Sequence, residues 1–355
     1  MISRDVMHIL VTGGAGYIGS HVVKQLLENT AHTVTIVDNL STGHQQTVDT
    51  LKQMTVEAPE RLAFVKLDLA DFKAVEVLFS ANDFDALIHF AASIVVPESV
   101  ENPLKYYMNN TVNTTNIIKM CNDYGVSKMI FSSTAAVYGE PTEIPVKETT
   151  PLAPINPYGF SKMMSEQVIK DTASANENFN YVILRYFNVA GADIQNRLGQ
   201  SFPNATHLIK VAAQTAIGVR EKMAIYGDSY ETADGTCIRD YIHIDDLAFV
   251  HIMALTYLDE NGSNIFNVGY GQGYSVHEVI ETMKKVSGID FTVEMGPQRA
   301  GDPALLISDN TKILKAFKNI RNSTFKLQHS TLFKYDDLEL ICKTALNWEK
   351  NIDER

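Results

Sequence analysis

The chain has 355 residues, of which 45% are hydrophobic and 20% charged, and this composition is ordinary for a globular protein of one or two domains. The formal net charge of −12 argues against nucleic acid or an anionic membrane surface as the main partner. No apolar stretch approaches the roughly 18 residues of a membrane span, and the first residues carry no signal-peptide pattern. We therefore expect a cytoplasmic protein with no nucleic-acid or membrane partner.

The three cysteines and ten histidines lack the spacing of a metal site. Cys121, Cys237 and Cys342 are far apart in sequence, and no His-Glu-x-x-His pattern occurs. The sequence therefore predicts no bound metal, and it predicts thiols kept in a reducing compartment.

Short β-rich runs alternate with helical stretches through the first half of the chain. The predicted strands cover residues 8–12, 33–37, 62–66, 86–90, 128–132 and 181–185. Such alternation predicts an α/β fold, a Rossmann-type doubly wound parallel sheet with helices on both faces.

The pattern becomes irregular after about residue 186, with one helix near 206–218 and a further strand at 265–268. Ser275-x-x-Glu278 then opens an apolar helix as a capping box would. We expect two discontinuous domains, with 237–268 returning to the main sheet. These are a dinucleotide-binding domain of residues 1–186 plus 237–268 and a smaller substrate domain of residues 187–236 plus 269–355.

A glycine-rich turn joins the first predicted strand to the first predicted helix. Gly14-x-Gly16-x-x-Gly19 matches the dinucleotide fingerprint, and Gly13 precedes it. The missing side chains allow a sharp turn, a close approach to a pyrophosphate and tight helix packing. The helix N-terminus offers free N–H groups to the phosphates. An ordinary glycine turn is the alternative, and the flanking strand and helix disfavour it.

The second predicted strand ends in Asp38, 19 residues past Gly19. This is close to the spacing of an acid that binds the adenosine ribose hydroxyls. A carboxylate there repels a 2′-phosphate, so the sequence favours NAD over NADP as the cofactor.

Tyr158 and Lys162 lie four residues apart and share one face of a predicted helix. A free phenol has a pKa of about 10, and an ammonium one turn away would lower that pKa and make Tyr158 a usable base. We also expect Lys162 to bond the nicotinamide ribose. Tyr124 and Lys128 have the same spacing, but Gly125 interrupts a helix there, so we interpret that pair as surface residues.

Hydroxyl-bearing residues end the strand 24 residues before Tyr158. Because ligands bind at the carboxyl ends of parallel strands, Thr134 is placed to bridge a substrate hydroxyl and the Tyr158 phenol. The alternative is that Ser132, Ser133 and Thr134 only cap and turn the chain.

The motifs together resemble the extended short-chain dehydrogenases in order and spacing. They are the glycine loop, residues 38–40, 89–92, 132–139, the Tyr158/Lys162 pair and residues 184–188. Within that family, residues 234–243 are typical of the UDP-glucose 4-epimerases. The resemblance runs from about Met7 to Asp309, and the tail beyond it shows no motif.

The resemblance implies redox-neutral interconversion of UDP-glucose and UDP-galactose, with NAD bound throughout. Tyr158 would take the proton of the sugar 4-hydroxyl while C4 gives its hydride to the nicotinamide. The transient 4-ketose would then turn about its pyrophosphate and regain the hydride on its other face. The resemblance also implies a homodimer through the helices near 96–122 and 158–174.

Carried over position by position, the resemblance implies a set of NAD-binding residues in which Asp68 and Leu69 face the adenine and Asn109 lies near the nicotinamide. The set is Gly13, Gly16, Tyr17, Ile18, Gly19, Asp38, Asn39, Asp68, Leu69, Phe90, Ala91, Ala92, Asn109, Ser132, Tyr158, Lys162 and Tyr186.

It implies a second set that binds the UDP-sugar, with Arg239 on the phosphates and Asp302 at the uridine ribose. The set is Thr134, Tyr158, Asn188, His207, Leu208, Tyr226, Arg239, Arg299, Asp302 and Leu306. The alternative for Arg239 is a structural ion pair with Asp240 or Asp245.

Three positions depart from the family pattern. Ile94 stands where some members have Lys, and His207 where many have Asn. Leu306 stands where Tyr tends to exclude N-acetylated sugars and a small residue tends to admit them. Leucine is intermediate in size, so the sequence leaves acceptance of UDP-N-acetylglucosamine open.

Other functions remain as alternatives. A nucleotide-sugar dehydratase of this fold has an Asp-Glu pair after the catalytic Thr, where this chain has Ala135 and Ala136. An epimerase for UDP-glucuronate or UDP-xylose fits the same motifs. A net reductase is disfavoured because Asp38 disfavours NADPH. A non-catalytic NAD-binding scaffold would often have lost Tyr158 or Lys162, and both are present.

Overall fold

The computed structural model describes residues 6–202, 206–299, 302–318, 320 and 331–352. The outermost residues of the two expected domains, 1–5 and 353–355, lie outside this range. The strands are β1 His8–Thr12, β2 Thr33–Asp38, β3 Leu62–Lys66, β4 Ala86–His89, β5 Lys128–Thr134, β6 Asn180–Tyr186, β7 Asn188–Ala190, β8 Met223–Tyr226, β9 Ile238–His243, β10 Asn264–Val268, β11 Gly273–Ser275, β12 Val293–Gly296 and β13 Leu305–Leu306.

The α-helices alternate with the strands through the first half of the chain, as predicted. They are α1 Tyr17–Asn29, α2 Gln45–Gln53, α3 Phe72–Ser80, α4 Val96–Glu101, α5 Pro103–Tyr106, α6 Asn113–Asp123, α7 Pro157–Ala175, α8 Leu208–Ala216, α9 Ile244–Asn261, α10 Val276–Ser287, α11 Thr311–Phe317 and α12 Leu338–Asn351. A π-helical turn, Tyr107–Val112, joins α5 to α6.

A seven-stranded sheet in the order β10-β6-β5-β4-β1-β2-β3 forms the centre of the molecule. All of its strand pairs are parallel. The predicted Rossmann-type fold and the predicted strands are confirmed, with shifts of one or two residues at their ends. β4 stops at His89, and β5 runs on to Thr134.

Successive side chains of a strand point to opposite faces of the sheet. Both faces of this sheet carry apolar side chains, and helices cover both. Ile9 and Val11 pack in one apolar core with residues of α1 and α9. Leu10, between them, packs in a second core with residues of α3 and α6. The parallel strands are therefore buried on both faces, and their carboxyl ends form one edge where polar residues collect.

A smaller sheet lies beyond β6, in the order β11-β9-β13, and β7 pairs with β9. The expected return of residues 237–268 to the main sheet holds for β10, which pairs with β6. It is wrong for β9, because β9 takes its hydrogen bonds from β7, β11 and β13.

Local sequence explains where the key helices begin. Asn156 caps α7 by accepting a hydrogen bond from the Gly159 N–H at 2.9 Å, and Pro157 occupies the first turn. The predicted capping box of Ser275 and Glu278 opens α10. None of the helices in the described ranges is long and apolar enough to cross a membrane.

Candidate active site

The glycine loop between β1 and α1 is closed by backbone contacts that leave no room for side chains. Gly13 has a φ of +72°, and a Cβ there would lie 2.7 Å from the Ala91 nitrogen. A Cβ on Gly19 would collide with the Gly13 carbonyl oxygen. These two glycines are therefore required by the turn itself.

Gly16 differs from Gly13 and Gly19 because a Cβ there would make one tight contact rather than a collision. The nearest atom would be the Gly13 carbonyl oxygen at 3.3 Å, with nothing else within 4 Å. Gly16 is also the N-cap of α1, and no side chain caps that helix. The open approach and the uncapped N–H groups of Tyr17 and Ile18 fit a pyrophosphate.

The residues predicted to hold the adenosine lie together at the ends of β2 and β3. The Asp38 carboxylate accepts hydrogen bonds from the Ala15 N–H at 3.0 Å and the Leu40 N–H at 2.8 Å. Burial raises the pKa of Asp38, and these two bonds oppose the rise. The Asn39 amide donates to Asp68 at 3.0 Å, and Leu69 is buried next to it.

The segment after β4 forms the opposite wall. Ala91 contacts the glycine loop, and the Phe90 ring lies 4.9 Å from the His251 ring. The Asn109 amide donates to the Ser93 hydroxyl at 3.1 Å, so the predicted nicotinamide-end residue is tied to the loop that begins with Ala91 and Ala92.

Asn110 was not predicted from the sequence. Its side-chain amide donates to the Ser93 carbonyl at 2.9 Å and to the Ser161 hydroxyl at 3.0 Å, and it is fully buried. It therefore ties the loop after β4 to α7, one residue before Lys162. The π-helical turn that directs Asn110 inwards has no simple sequence signature.

The three predicted catalytic residues meet at the carboxyl end of β5. Tyr158 lies in the first turn of α7, and its phenol interacts with the Thr134 hydroxyl. Lys162 is 3% exposed, and its Nζ donates to the Ser132 carbonyl at 2.8 Å. Thr134 also accepts a hydrogen bond from the Ala136 N–H at 3.1 Å, so it both caps a turn and faces the phenol.

The pKa values of Tyr158 and Lys162 differ from the values expected from the sequence. Burial raises the pKa of Tyr158, and the hydrogen bond to Thr134 opposes the rise. Burial lowers the pKa of Lys162 to about 7, with Glu166 opposing. The ammonium is directed at Ser132 and holds only part of its charge near neutral pH. The predicted lowering of the Tyr158 pKa by Lys162 is therefore wrong for the protein alone.

A buried ion pair that sequence reasoning missed supports this site. Arg185 donates to both Glu166 oxygens, at 2.9 and 2.6 Å, and the Ser133 hydroxyl donates to Glu166 at 2.5 Å. Glu166 follows Lys162 by one helical turn, and Ser133 precedes Thr134. The repeat of four from Tyr158 to Lys162 to Glu166 was the available signal.

Tyr186, predicted to contact the cofactor, is nearly buried at the end of β6. The His251 Nδ1 donates to the Leu247 carbonyl, so its Nε2 accepts from the Tyr186 hydroxyl at 2.9 Å. Burial lowers the pKa of His251 to about 4, which keeps this ring neutral.

Three of the predicted substrate residues lie on adjacent strands of the smaller sheet. Asn188 on β7 is opposite Tyr241 on β9, and Leu306 on β13 is opposite Arg239 on β9. Leu306 also packs against the apolar cluster that contains Ala135, so it is close to the turn after Thr134.

Arg239 pairs with Asp302, which was itself a predicted substrate residue. The alternative partners are otherwise engaged. Asp240 accepts from Ser308 and from backbone N–H groups, and Asp245 binds Lys24. The alternative of an ion pair with Asp240 or Asp245 is therefore wrong, and the partner of Arg239 is Asp302.

The remaining substrate residues fall into two groups. The Arg299 guanidinium lies 3.9 Å from the centre of the exposed Tyr226 ring, as a stacked pair that presents a flat surface. The other group surrounds a pocket beside β7, whose lining includes Asn188, His207, Leu208, Lys210, Tyr241 and Trp348. Between Arg299 and Asp302, residues 300 and 301 lie outside the described residues.

Within the described residues, no cluster of three or more His, Cys, Asp or Glu side chains could hold a metal. The carboxyl end of β5 therefore combines a phenol, an amine and a hydroxyl. Such a set can remove and return a proton at a substrate hydroxyl.

The profile of the NAD dependent epimerase/dehydratase family matches residues 9–269. The chain belongs to this family. The epimerase is 44% identical to a UDP-glucose 4-epimerase of Azospirillum brasilense, over 98% of this chain and 93% of that protein.

Two solved structures have the same fold over nearly the whole epimerase. The UDP-Glc/GlcNAc 4-epimerase of Campylobacter jejuni is 56% identical with a TM-score of 0.81, over 97% of this chain and 99% of the other. The UDP-glucose 4-epimerase of Bifidobacterium longum, in complex with NAD+ and UDP, is 35% identical with a TM-score of 0.88, over 97% and 98% of the two chains.

These comparisons confirm the predicted family and the predicted enzyme class. The relatives are epimerases, so a dehydratase is not favoured, in agreement with Ala135 and Ala136 after Thr134. The NAD dependence of the family confirms NAD, the cofactor that we predicted from Asp38.

Proposed function

We propose that the epimerase interconverts UDP-glucose and UDP-galactose by inverting the sugar at C4. One observation supports this most: Tyr158, Thr134 and Lys162 meet at the carboxyl end of β5, facing the edge of the sheet that holds the glycine loop. Full-length relatives that carry this activity by name support the same choice.

The residues of this chain divide the work by position. Tyr158 takes the proton of the sugar 4-hydroxyl and returns it after inversion, because its phenol contacts the Thr134 hydroxyl. The Thr134 hydroxyl bridges the phenol and the sugar hydroxyl. Lys162 holds the end of β5 through Ser132 and bonds the nicotinamide ribose.

NAD would be held by the loop from Gly13 to Gly19 at the pyrophosphate, by Asp38 at the adenosine ribose and by Asn109 near the nicotinamide. When bound, it supplies a hydride acceptor for C4 and a positive charge that favours the Tyr158 phenolate. In the protein itself, burial raises the pKa of the Tyr158 phenol and the hydrogen bond to Thr134 opposes the rise.

We assign the UDP moiety to the smaller sheet and its edges. Arg239 has a guanidinium already aligned by Asp302, and it suits bidentate contact with the pyrophosphate. Tyr226 and Arg299 offer a flat surface for the uracil or its ribose. Asn188, His207 and Leu208 line the adjoining pocket.

A second substrate, UDP-N-acetylglucosamine, is supported by Leu306. This side chain is smaller than tyrosine and lies against the apolar cluster beside Thr134. The Campylobacter jejuni relative is a UDP-Glc/GlcNAc 4-epimerase.

We further propose that the two-domain division stands with β9 assigned to the substrate domain. The enzyme would be a cytoplasmic homodimer. Apolar side chains exposed on α4, α5, the π-helical turn and α7 support such an interface: Val100, Leu104, Met108 and Met164. Buried thiols at Cys121, Cys237 and Cys342 suit a reducing compartment.

The test is an activity panel with purified protein and no added cofactor. UDP-glucose, UDP-galactose, both N-acetylated forms and UDP-glucuronate are each supplied, and products are separated by chromatography. We expect conversion of the first two and NAD in the denatured protein. Failure to convert either sugar by a folded, NAD-loaded protein would reject the proposal.

A further inference from the structure

The side chain of Tyr17 points away from the dinucleotide loop to which its backbone belongs. Its hydroxyl donates to the Gly191 carbonyl at 2.6 Å, although the two residues are 174 positions apart. Gly191 directly follows β7, the strand that begins with Asn188. One residue thus touches both the cofactor loop and the segment that carries a substrate residue.

A buried ion cluster makes the same connection two turns further along α1. Lys24 donates to Asp193 and to Asp245, both at 2.6 Å, and all three side chains are 5% exposed or less. Gln25 adds a bond from its amide to the Asp245 carbonyl at 2.7 Å. Helix α1 is therefore tied to the segment after β7 and to the start of α9.

Arg197 joins this cluster from the partly exposed side. It donates to Asp193 at 2.7 Å and also pairs with the partly exposed Glu28, so the two buried carboxylates are faced by two cations. The cations hold the pKa values of Asp193 and Asp245 below their usual range and outweigh the effect of burial. Buried ion pairs contribute little net stability compared with apolar packing, but they restrict geometry because their hydrogen bonds are directional.

We propose that Tyr17 and the Lys24–Asp193–Asp245 cluster are positioning residues that fix the strand bearing Asn188 against the cofactor loop. Both ends of this connection belong to rigid elements, since α1 begins in the glycine turn and β7 is paired with β9. The bound nucleotide sugar is then held at a set distance from the nicotinamide. This inference rests on the proposed function for its meaning in catalysis.

The test compares Tyr17→Phe with Tyr257→Phe. The first removes only the hydroxyl and leaves the loop backbone unchanged. The second removes a hydroxyl that accepts a bond from Asn264 at 2.7 Å, in a buried position on α9 outside the site. Measurements are NAD content, UDP affinity by calorimetry, kcat and KM with UDP-galactose, and hydrogen–deuterium exchange of residues 188–198.

For Tyr17→Phe we expect unchanged NAD content, faster exchange of residues 188–198, and UDP affinity lowered about fivefold, the equivalent of one hydrogen bond. KM should rise by a similar factor while kcat changes less than about twofold, because the loss affects ground state and transition state equally. The Tyr257→Phe variant should match the wild type in all four measurements.

Unchanged UDP affinity and exchange in Tyr17→Phe would overturn the inference, and so would loss of NAD, which would place the side chain in cofactor binding. A wild type that binds UDP but converts no sugar would reject the proposed function alone. The affinity and exchange measurements would still decide the role of Tyr17.

Discussion

The Lys162 Nζ donates a hydrogen bond to the main-chain oxygen of Ser132, and the two atoms lie 2.8 Å apart. This contact directs the amine at the end of β5 rather than at the phenol one turn before it. Burial lowers the pKa of Lys162 to about 7, and its hydrogen bond to Ser132 holds the end of the strand. Tyr158 remains the group that we propose for proton transfer.

Removing the phenol hydroxyl should abolish most of the activity. We expect Tyr158→Phe to lower kcat at least about a hundredfold, the scale of general base catalysis, with NAD content unchanged. The matched control is Tyr124→Phe, which alters the exposed tyrosine of the other Tyr-x-x-x-Lys pair. Near-normal turnover of Tyr158→Phe would refute the assignment of the base.

Gly16 should be required for NAD but not for folding. A Cβ there makes one tight contact, with the Gly13 carbonyl oxygen at 3.3 Å, so Gly16→Ala should fold with a slightly lowered melting temperature. The added methyl group occupies the open approach to the helix N-terminus, so NAD content should fall at least about tenfold. The control Gly125→Ala, in the turn before β5, should keep its NAD although its φ of +73° strains an alanine there. A loaded Gly16→Ala would contradict the assigned phosphate position.

The Glu166–Arg185 pair should be essential for stability. Glu166→Gln leaves a buried guanidinium without its counter-charge, so the free energy of unfolding in urea should fall by about 3 kcal/mol. The control Glu294→Gln breaks an exposed pair with Lys222 and should change the unfolding midpoint negligibly. Equal midpoints for the two variants would show that the buried pair has no special role.

Leu306 should limit the space for the sugar 2-substituent. We expect Leu306→Ser to raise kcat/KM for UDP-N-acetylglucosamine by about tenfold relative to UDP-glucose, since a smaller side chain opens the pocket beside Thr134. The measurement is the ratio of the two values for wild type and variant. An unchanged ratio would show that another residue limits that space.

The protein should lose stability on acidification at pH values well above those at which its carboxylates titrate. Burial lowers the pKa values of five histidines to about 3 or 4: His21, His32, His89, His243 and His251. In the unfolded chain these rings titrate near 6.5, so the unfolded state binds more protons between that pH and about 4. Stability is therefore present above pH 6.5 and falls as the pH drops towards 4.

Asp246 opposes this trend in part. Burial raises its pKa to about 6, so this carboxyl adds stability as the pH falls through 6. Each of the five histidines lowers the free energy of unfolding by about 1.4 kcal/mol per pH unit in this range, and together they outweigh the opposite effect of Asp246. We expect the free energy of unfolding, measured in urea at fixed NAD content, to be lower by several kcal/mol at pH 5 than at pH 7. A flat profile would contradict the buried neutral rings.

Much of the dinucleotide half of the site was predictable because its signals are local. The glycine spacing, the acid at the end of β2 and the Tyr158/Lys162 repeat each lie within one turn or one strand end. The partners of Glu166 and Lys24 were not predictable, because Arg185 is 19 residues away and Asp193 is 169. Charged residues of this kind resemble ordinary surface residues until the chain is folded.

The sequence by itself determined the strands of the first half, the Rossmann-type fold and the NAD cofactor, since turn chemistry and helical spacing act over a few residues. Only the tertiary structure decided that β9 joins the smaller sheet, that Arg239 pairs with Asp302 and that the Lys162 amine is directed at Ser132. These outcomes depend on burial and on which distant groups compete for the same hydrogen bond. Neither burial nor this competition can be read from a single segment of the chain.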